Sequence, residues 1–336
     1  MKKLLCAVLC CLFLGLTLCA CEILAPMPEP EPTPTLAPAP EPTPEPTSEP
    51  TPEPTPTPVP DLVLQGVVIP RDATELVLES DEGLDEALAQ LPQLQRVDLT
   101  ACTLSVERME ELTDGWPDVD FVFTLQFALW EIRSDVTCFS TLRTDSVECP
   151  HYTNEDLYPL LRFCRHLRAL DLGHNLLSDL TLIGEMKELQ VLILADNPTI
   201  KDISPLGNLT ELRYVELFLC SYITDFSCLE KLTKLQDLNM CYCTDLSDVS
   251  FIANMPDFQN GWFTYTKVRW DSVGPLLEER PDMTIIFGSM PDISSTGYGW
   301  RATERNAAIR RAFSSWWDVV DWRSWDDVEY RVDGEG

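Results

Sequence analysis

The feature that most constrains this chain is a motif that returns every 22 or 23 residues between Leu167 and Tyr265. LRALDLGHN begins at Leu167, LQVLILADN at Leu189, LRYVELFLC at Leu212, LQDLNMCYC at Leu235, and a degenerate FQNGWFTYT at Phe258. The first, fourth and sixth positions are mostly apolar, and the ninth is Asn or Cys in the well-formed units: Asn175, Asn197, Cys220 and Cys243. Side chains alternate along a strand, so positions four and six share its inner face. The ninth residue is expected to turn inward and satisfy backbone groups that a curved loop leaves unpaired. The second half of a unit, as in Ile200–Lys201–Asp202–Ile203–Ser204–Pro205–Leu206 followed by Leu209, supplies another apolar set. No unit can bury these faces alone, so the units are expected to stack into a solenoid with one continuous core. A leucine-rich helix would not reset its pattern at this interval with Asn or Cys at a fixed offset.

The segment IKDISPLGNLTEL at 200–212 resembles the second half of the short bacterial leucine-rich repeats found in internalins, and the resemblance covers roughly 160–266. It implies an α/β leucine-rich-repeat solenoid, with a parallel sheet on the concave face, a helical or irregular convex side, and capping segments. Adhesion or host contact is the role that the resemblance suggests.

The N-terminus has the pattern of an export segment. Met1–Lys2–Lys3 precedes the apolar run LLCAVLCCLFLGLTLCAC, the layout of a secretory signal. Residues 1–21 end in Leu18–Cys19–Ala20–Cys21, which resembles a bacterial lipobox and makes Cys21 the expected lipidation site. An uncleaved membrane anchor is the alternative, because the run approaches the length of a span. Residues 22–60 follow as a Pro-, Glu- and Thr-rich stretch in which no large apolar side chain recurs. Such a segment is expected to be a disordered stalk favouring polyproline II, with a reach on the order of 100 Å. Both readings of the leader place the chain outside the cytoplasmic membrane, tied to it and displayed at the cell surface.

Globular composition begins at Asp61, and the 276 residues from there to Gly336 are enough to bury roughly three quarters of the unfolded surface. ATELVLESD (73–81) and LQRVDLTAC (94–102) echo the repeat, with Cys102 at the ladder position, so the solenoid is expected over 61–287. Ser105 is predicted to cap a helix over 105–114. Residues near 125–152 are expected to be an insertion, with extra β-structure at 125–143. Thr153 or Asn154 is predicted to cap a helix containing Leu157, Leu160 and Leu161. DSVGPLLEERPDMTIIF (271–287) repeats the helix, Pro-Asp turn and strand of SVERMEELTDGWPDVDFVF (105–123). The tail, 288–336, holds a predicted helix at 302–314 and the Trp-rich WWDVVDWRSW, with Ile309, Phe313, Trp316 and Val320 at helical spacing. Its expected role is to cap the open end of the solenoid, with a separate binding tail as the alternative.

Composition excludes several classes of partner. The formal net charge is −31, and only seven acids fall in the stalk, so the folded part is itself strongly acidic. Nucleic acid and anionic polymers would be repelled over about a Debye length. Of the 13 cysteines, Cys6, Cys10, Cys11, Cys19 and Cys21 belong to the export segment. Cys102, Cys164, Cys220 and Cys243 occupy repeat positions expected to be buried. Cys138, Cys149, Cys228 and Cys241 are less constrained, and a Cys138–Cys149 clip is one option. His151, His166 and His174 share no metal-ligand spacing, and no CxxC, HExxH, Gly-rich phosphate loop or GxSxG is present. No metal, cofactor or catalysis is expected.

The remaining candidate surface is the concave face. Positions three, five and seven of each unit point there, giving a path through Val191, Ile193, Tyr214, Phe218, Trp262 and Tyr265, with Glu216, Asp237 and Asn239 among them. A contiguous apolar and aromatic path of this kind marks an interface, and Asp171, Asp196, Glu216 and Asp237 would select a basic partner. The expectation is a monomeric, membrane-anchored extracellular protein that binds a protein ligand there. A structural or envelope-assembly spacer, an enzyme with its site in 125–152 or 288–336, and self-coverage of the face by the insertion or the Trp-rich tail are the alternatives.

Overall fold

The computed structural model describes residues 60–127, 130–142, 151–289 and 303–314. The export segment with Cys21, the stalk up to residue 59, Cys149, and Trp316 and Val320 of the tail lie outside the described residues.

The described chain begins with an antiparallel hairpin, β1 (Leu62–Leu64) and β2 (Val67–Ile69). Its turn holds Gln65 at φ 52° and Gly66 at φ 80°, the left-handed pair whose twist suits a two-residue connection. Parallel strands then follow at repeat spacing. β3 (Glu75–Val77), β4 (Arg96–Asp98) and β5 (Asp120–Val122) form a three-stranded parallel sheet, joined by helices α1 (Leu84–Gln90) and α2 (Val106–Gly115). The Ser105 hydroxyl accepts the Arg108 backbone N–H at 3.3 Å and so caps α2. β6 (Thr124–Phe127) and β7 (Trp130–Arg133) make a second antiparallel hairpin.

The main body is a seven-stranded parallel sheet in chain order: β8 (Cys138–Ser140), β9 (Ala169–Asp171), β10 (Val191–Ile193), β11 (Tyr214–Glu216), β12 (Asp237–Asn239), β13 (Asn260–Thr264) and β14 (Thr284–Gly288). Val191 pairs with Tyr214 and Tyr214 with Asp237, so one 23-residue step is one rung of the ladder. Helix α3 (Asn154–Leu161) joins β8 to β9, and α4 (Trp270–Glu279) joins β13 to β14. Single 3-10 turns at Ile183–Glu185, Ser204–Asn208, Ser227–Lys231 and Ser250–Asn254 serve the regular repeats. At α3 the Thr153 backbone N–H donates to the Asp156 carboxylate at 2.8 Å, one half of a capping box.

One apolar cluster runs from Leu64 to Met283 and takes the inner position of successive strands: Val97, Phe121, Phe139, Leu170, Leu192, Val215 and Leu238. It is continuous across the break between the two parallel sheets, where Phe123 and Phe163 meet edge to face at 5.5 Å. The chain is therefore an α/β leucine-rich-repeat solenoid.

The structure corrects the reading of 125–152 as an insertion. Among the described residues of that stretch, the β6–β7 hairpin stands outside the repeat sheets. Phe139 pairs in parallel with Leu170, so Cys138–Ser140 is a repeat strand. Its frame is hidden because the apolar positions read Val136, Phe139 and Thr141 in place of three aliphatics. Thr141 is tolerated there because its hydroxyl accepts a hydrogen bond from the Asn175 amide at 2.9 Å.

The eighth position of every main repeat is left-handed: His174, Asp196, Leu219, Tyr242 and Tyr265 have φ between 55° and 66°. This conformation costs roughly 1–2 kcal/mol for an L-residue. It aims each backbone N–H at the seventh-position carbonyl of the next repeat, as in His174 to Ala195 at 2.7 Å and Leu219 to Cys241 at 3.0 Å. The strain is thereby tied to an inter-repeat hydrogen bond.

Candidate binding site on the concave face

The site is framed by the ninth-position ladder. The Asn197 amide donates to the carbonyls of Leu172 (2.8 Å) and Leu194 (3.1 Å), while its oxygen accepts the Leu177 backbone N–H at 3.1 Å. Asn175 does the same work one rung earlier, accepting from Tyr152 and donating to Leu172 and Gly173. Where the ladder residue is Cys, the thiol donates to the carbonyl of the preceding rung: Cys102 to Leu78 (3.4 Å), Cys220 to Leu194 (3.2 Å) and Cys243 to Leu217 (3.3 Å). Burial pushes the Cys164 and Cys220 thiols up to about 12 and that of Cys243 well above its ordinary value. Cys228 and Cys241 are buried too, the first donating to the Ile203 carbonyl and the second accepting from the Thr264 hydroxyl.

The concave residues converge on one patch, but the patch is not open. Val191, Ile193, Tyr214, Glu216, Phe218, Asp237, Asn239 and Trp262 are each 5 % exposed or less, and Tyr265 is half-buried. The cover is helix α5 (Glu304–Ser314), which packs Ala308 and Ile309 into the cluster formed by Ala169, Val191, Ile193, Tyr214, Phe218 and Trp262. The residues expected to meet a partner are covered here by α5, the self-coverage held open as the alternative, and this helix of the tail lies across the concave face. The physical reason is the make-up of α5. Four arginines occur between 301 and 311 in a chain otherwise poor in cations, and the same helix carries a small and an aliphatic residue between its basic groups.

The contacts show how the helix reads the face. Arg305 bonds Asp237 of β12 at 2.9 Å and Gln259 at 2.9 Å. The Asn306 amide donates to the Tyr214 hydroxyl of β11 at 2.8 Å, and that hydroxyl donates onward to Glu216 at 3.1 Å. The charge of Arg310 acts on Asp171 of β9, and α5 also packs against β8. The helix therefore crosses the strands, bonding Asp237 near its start and bringing the charge of Arg310 to act on Asp171.

Burial raises the Asp171 carboxyl above its ordinary value against the pull of the Gly173 N–H and the Arg310 charge. It raises Asp237 likewise, against Arg305 and the Asn260 amide at 2.8 Å. The fit is incomplete. Asp237 Oδ2, Asn239 Nδ2, Asn306 Oδ1 and Arg310 Nε are buried with no hydrogen-bond partner among the described residues. Each such atom costs about 1–3 kcal/mol, whereas burying Ile309 contributes about 1.5–3 kcal/mol. The helix is held by complementarity of sign, by the Asn306–Tyr214 hydrogen bond and by apolar contact through Ala308, Ile309 and Phe313.

A second charged area lies on the N-terminal strands, unremarked in the sequence. Arg96 pairs with both Asp120 and Asp135, Arg133 bridges Asp98 and Asp135, and His166 meets Asp120 at 2.9 Å. Taking positions three and five of LQRVDLTAC as concave would have found Arg96 and Asp98. On the rim, Tyr242 stacks on Tyr265 with centroids 4.4 Å apart, and His174 meets Asp196 at 2.9 Å. Among the described residues no group of three or more His, Cys, Asp or Glu is arranged to hold a metal, and no helix is long and apolar enough to cross a membrane.

Neither a protein-family model nor a curated sequence matches the chain. Among solved structures, an internalin, InlF, of Listeria monocytogenes is 26% identical over 49% of this chain and 46% of its own, with a TM-score of 0.36. Internalin C2 of the same species is 18% identical over 61% of this chain and 75% of its own, at 0.33. A leucine-rich-repeat protein of Leptospira interrogans is 19% identical over 52% of this chain and 38% of its own, at 0.28. The chain thus matches less than half the length of the first of these. At such scores the likenesses carry no functional argument, and the fold rests on the repeat geometry itself.

Proposed function

We propose that this protein is a recognition scaffold, displayed outside the cell on a lipid anchor at Cys21, that binds a protein ligand through the concave sheet. The observation that carries the reading is the pairing of Arg305 with buried Asp237 beside Ile309 in an aromatic and aliphatic patch. A face of acids set among aromatic anchors suits a basic, partly apolar partner, because charge directs encounter and register while buried apolar contact holds the complex. The acidic surface disfavours nucleic acid, and no step of catalysis is needed. Adhesion is the role within this reading that the surface location favours.

Coverage of the face by α5 favours a second reading, a spacer with no ligand. A capture experiment separates the two. The full chain carrying Ile309→Asp, a change outside the main core cluster that is expected to release α5, is compared with the same chain carrying Trp262→Asp as well. Both are offered to envelope and host-surface extracts and read by mass spectrometry. A ligand kept by the first and lost by the second supports recognition through the concave face. Identical captured sets, or none, refute it and leave the spacer.

A further inference from the structure

We propose that α5 is a displaceable occupant of the concave face, holding the place of a basic amphipathic helix presented by a partner protein. This rests on the concave-face reading above and adds the chemistry of the ligand and the state of the free protein. Three observations carry it. The helix belongs to the smaller cluster alone, with Ala308 and Ile309 buried there and absent from the continuous solenoid core. The core therefore does not need α5 in order to form. The junction leaves Asp237 Oδ2, Asn239 Nδ2, Asn306 Oδ1 and Arg310 Nε without partners among the described residues, in side chains of Asp237, Asn239 and Asn306 that are at most 1 % exposed. A ligand that supplied those partners would bind better than α5 does. Finally, the pattern is specific: Arg305 bonds Asp237 on β12 and Ala308 and Ile309 fill the aromatic centre, with the charge of Arg310 acting on buried Asp171 of β9.

The partner segment is accordingly a helix with two arginines five residues apart, a small and an aliphatic residue just before the second arginine, and donors and acceptors that complete Asn239 and Asp237. Because α5 is part of the same chain, it competes as an intramolecular ligand at an effective concentration set by its covalent connection. A partner must exceed that before it binds, so the site stays closed to weakly matching helices.

The test uses a helix-stapled, fluorescent peptide of residues 303–314 as the probe. Its anisotropy is titrated with the full wild-type chain and with the full chain carrying Arg305→Glu and Ile309→Asp. The released chain is expected to bind the probe at least tenfold more tightly than the wild type does. A probe carrying the same two changes is expected to lose binding to either. Equal affinity for both chains, or none for the released chain, overturns the proposal. Hydrogen exchange on the wild type gives a readout independent of the variants. The α5 amides are expected to exchange at least a hundredfold faster than those of β10 to β12, and equal protection marks α5 as a permanent strut. A wild-type dimer that forms with concentration and exchanges α5 between copies overturns the assignment to a different partner protein. Ligand capture by the released chain without probe binding would sink this inference alone, and the broader recognition reading would stand.

Discussion

Replacing Asn197 with Ala tests whether the ladder holds the solenoid together, and the size of the loss follows from the bonds removed. Asn197 is fully buried and makes three bonds to backbone groups of two rungs. The groups it leaves behind are not equivalent. The Leu172 carbonyl keeps the Asn175 amide at 3.0 Å, and the Leu194 carbonyl keeps the Cys220 thiol at 3.2 Å. The Leu177 N–H has no second acceptor among the described contacts. One orphaned buried donor costs about 1–3 kcal/mol, and each carbonyl bond lost contributes about 0.5–1.5 kcal/mol. The expected loss is about 2–6 kcal/mol, a large share of the ~5–15 kcal/mol by which domains are stable. Asn197→Cys should lose less, about 1–3 kcal/mol, because a thiol can still donate as Cys220 does. Guanidinium unfolding followed by far-ultraviolet circular dichroism measures both. An alanine variant within about 0.5 kcal/mol of the wild type, or a cysteine variant worse than alanine, would refute the reasoning.

Three further outcomes follow from the same geometry. Gly184→Ala places a Cβ 2.7 Å from Pro205 Cβ and 2.9 Å from the Pro205 carbonyl oxygen, so thermal unfolding should report a loss of about 1–3 kcal/mol from overpacking. His166 is held above its ordinary value of 6.5 chiefly by its hydrogen bond to Asp120, against desolvation. A raised basic group stabilises fully below 6.5 and loses that contribution as pH rises through its folded-state value. Denaturant midpoints at pH 5.5 and pH 8 should therefore differ by less in His166→Gln than in the wild type, and an unchanged difference counts against the pair. Asp120 is depressed by the same bond, so its own contribution is lost only in acid, as pH falls below 3.8 through its folded-state value. Buried Cys220 and Cys243 should react with iodoacetamide only on unfolding, since burial raises both thiols and removes access. Labelling of either in the native protein, read by mass spectrometry, would contradict that placement.

What the sequence determined by itself is the repeat and everything local to it. A 23-residue period with Leu at fixed offsets dictates one rung per unit, because strand alternation and burial leave no other way to satisfy Leu189, Leu192 and Leu194 together. Ser105 was legible as a helix start for the same reason, since a cap acts within one turn of its own residue, and the second start was narrowed to Thr153 or Asn154, of which the structure takes Thr153. The composition of the concave face, acids around Tyr214, Phe218 and Trp262, was legible from alternation alone. Only the tertiary structure decided what lies on that face. Arg305 and Asp237 are 68 positions apart, and no periodicity links them; their meeting depends on the curvature of the sheet and the path of the chain between. The strand at Cys138–Ser140 was hidden for a related reason. Its fit depends on Thr141 meeting Asn175 across a rung, a contact that exists only once the solenoid is stacked.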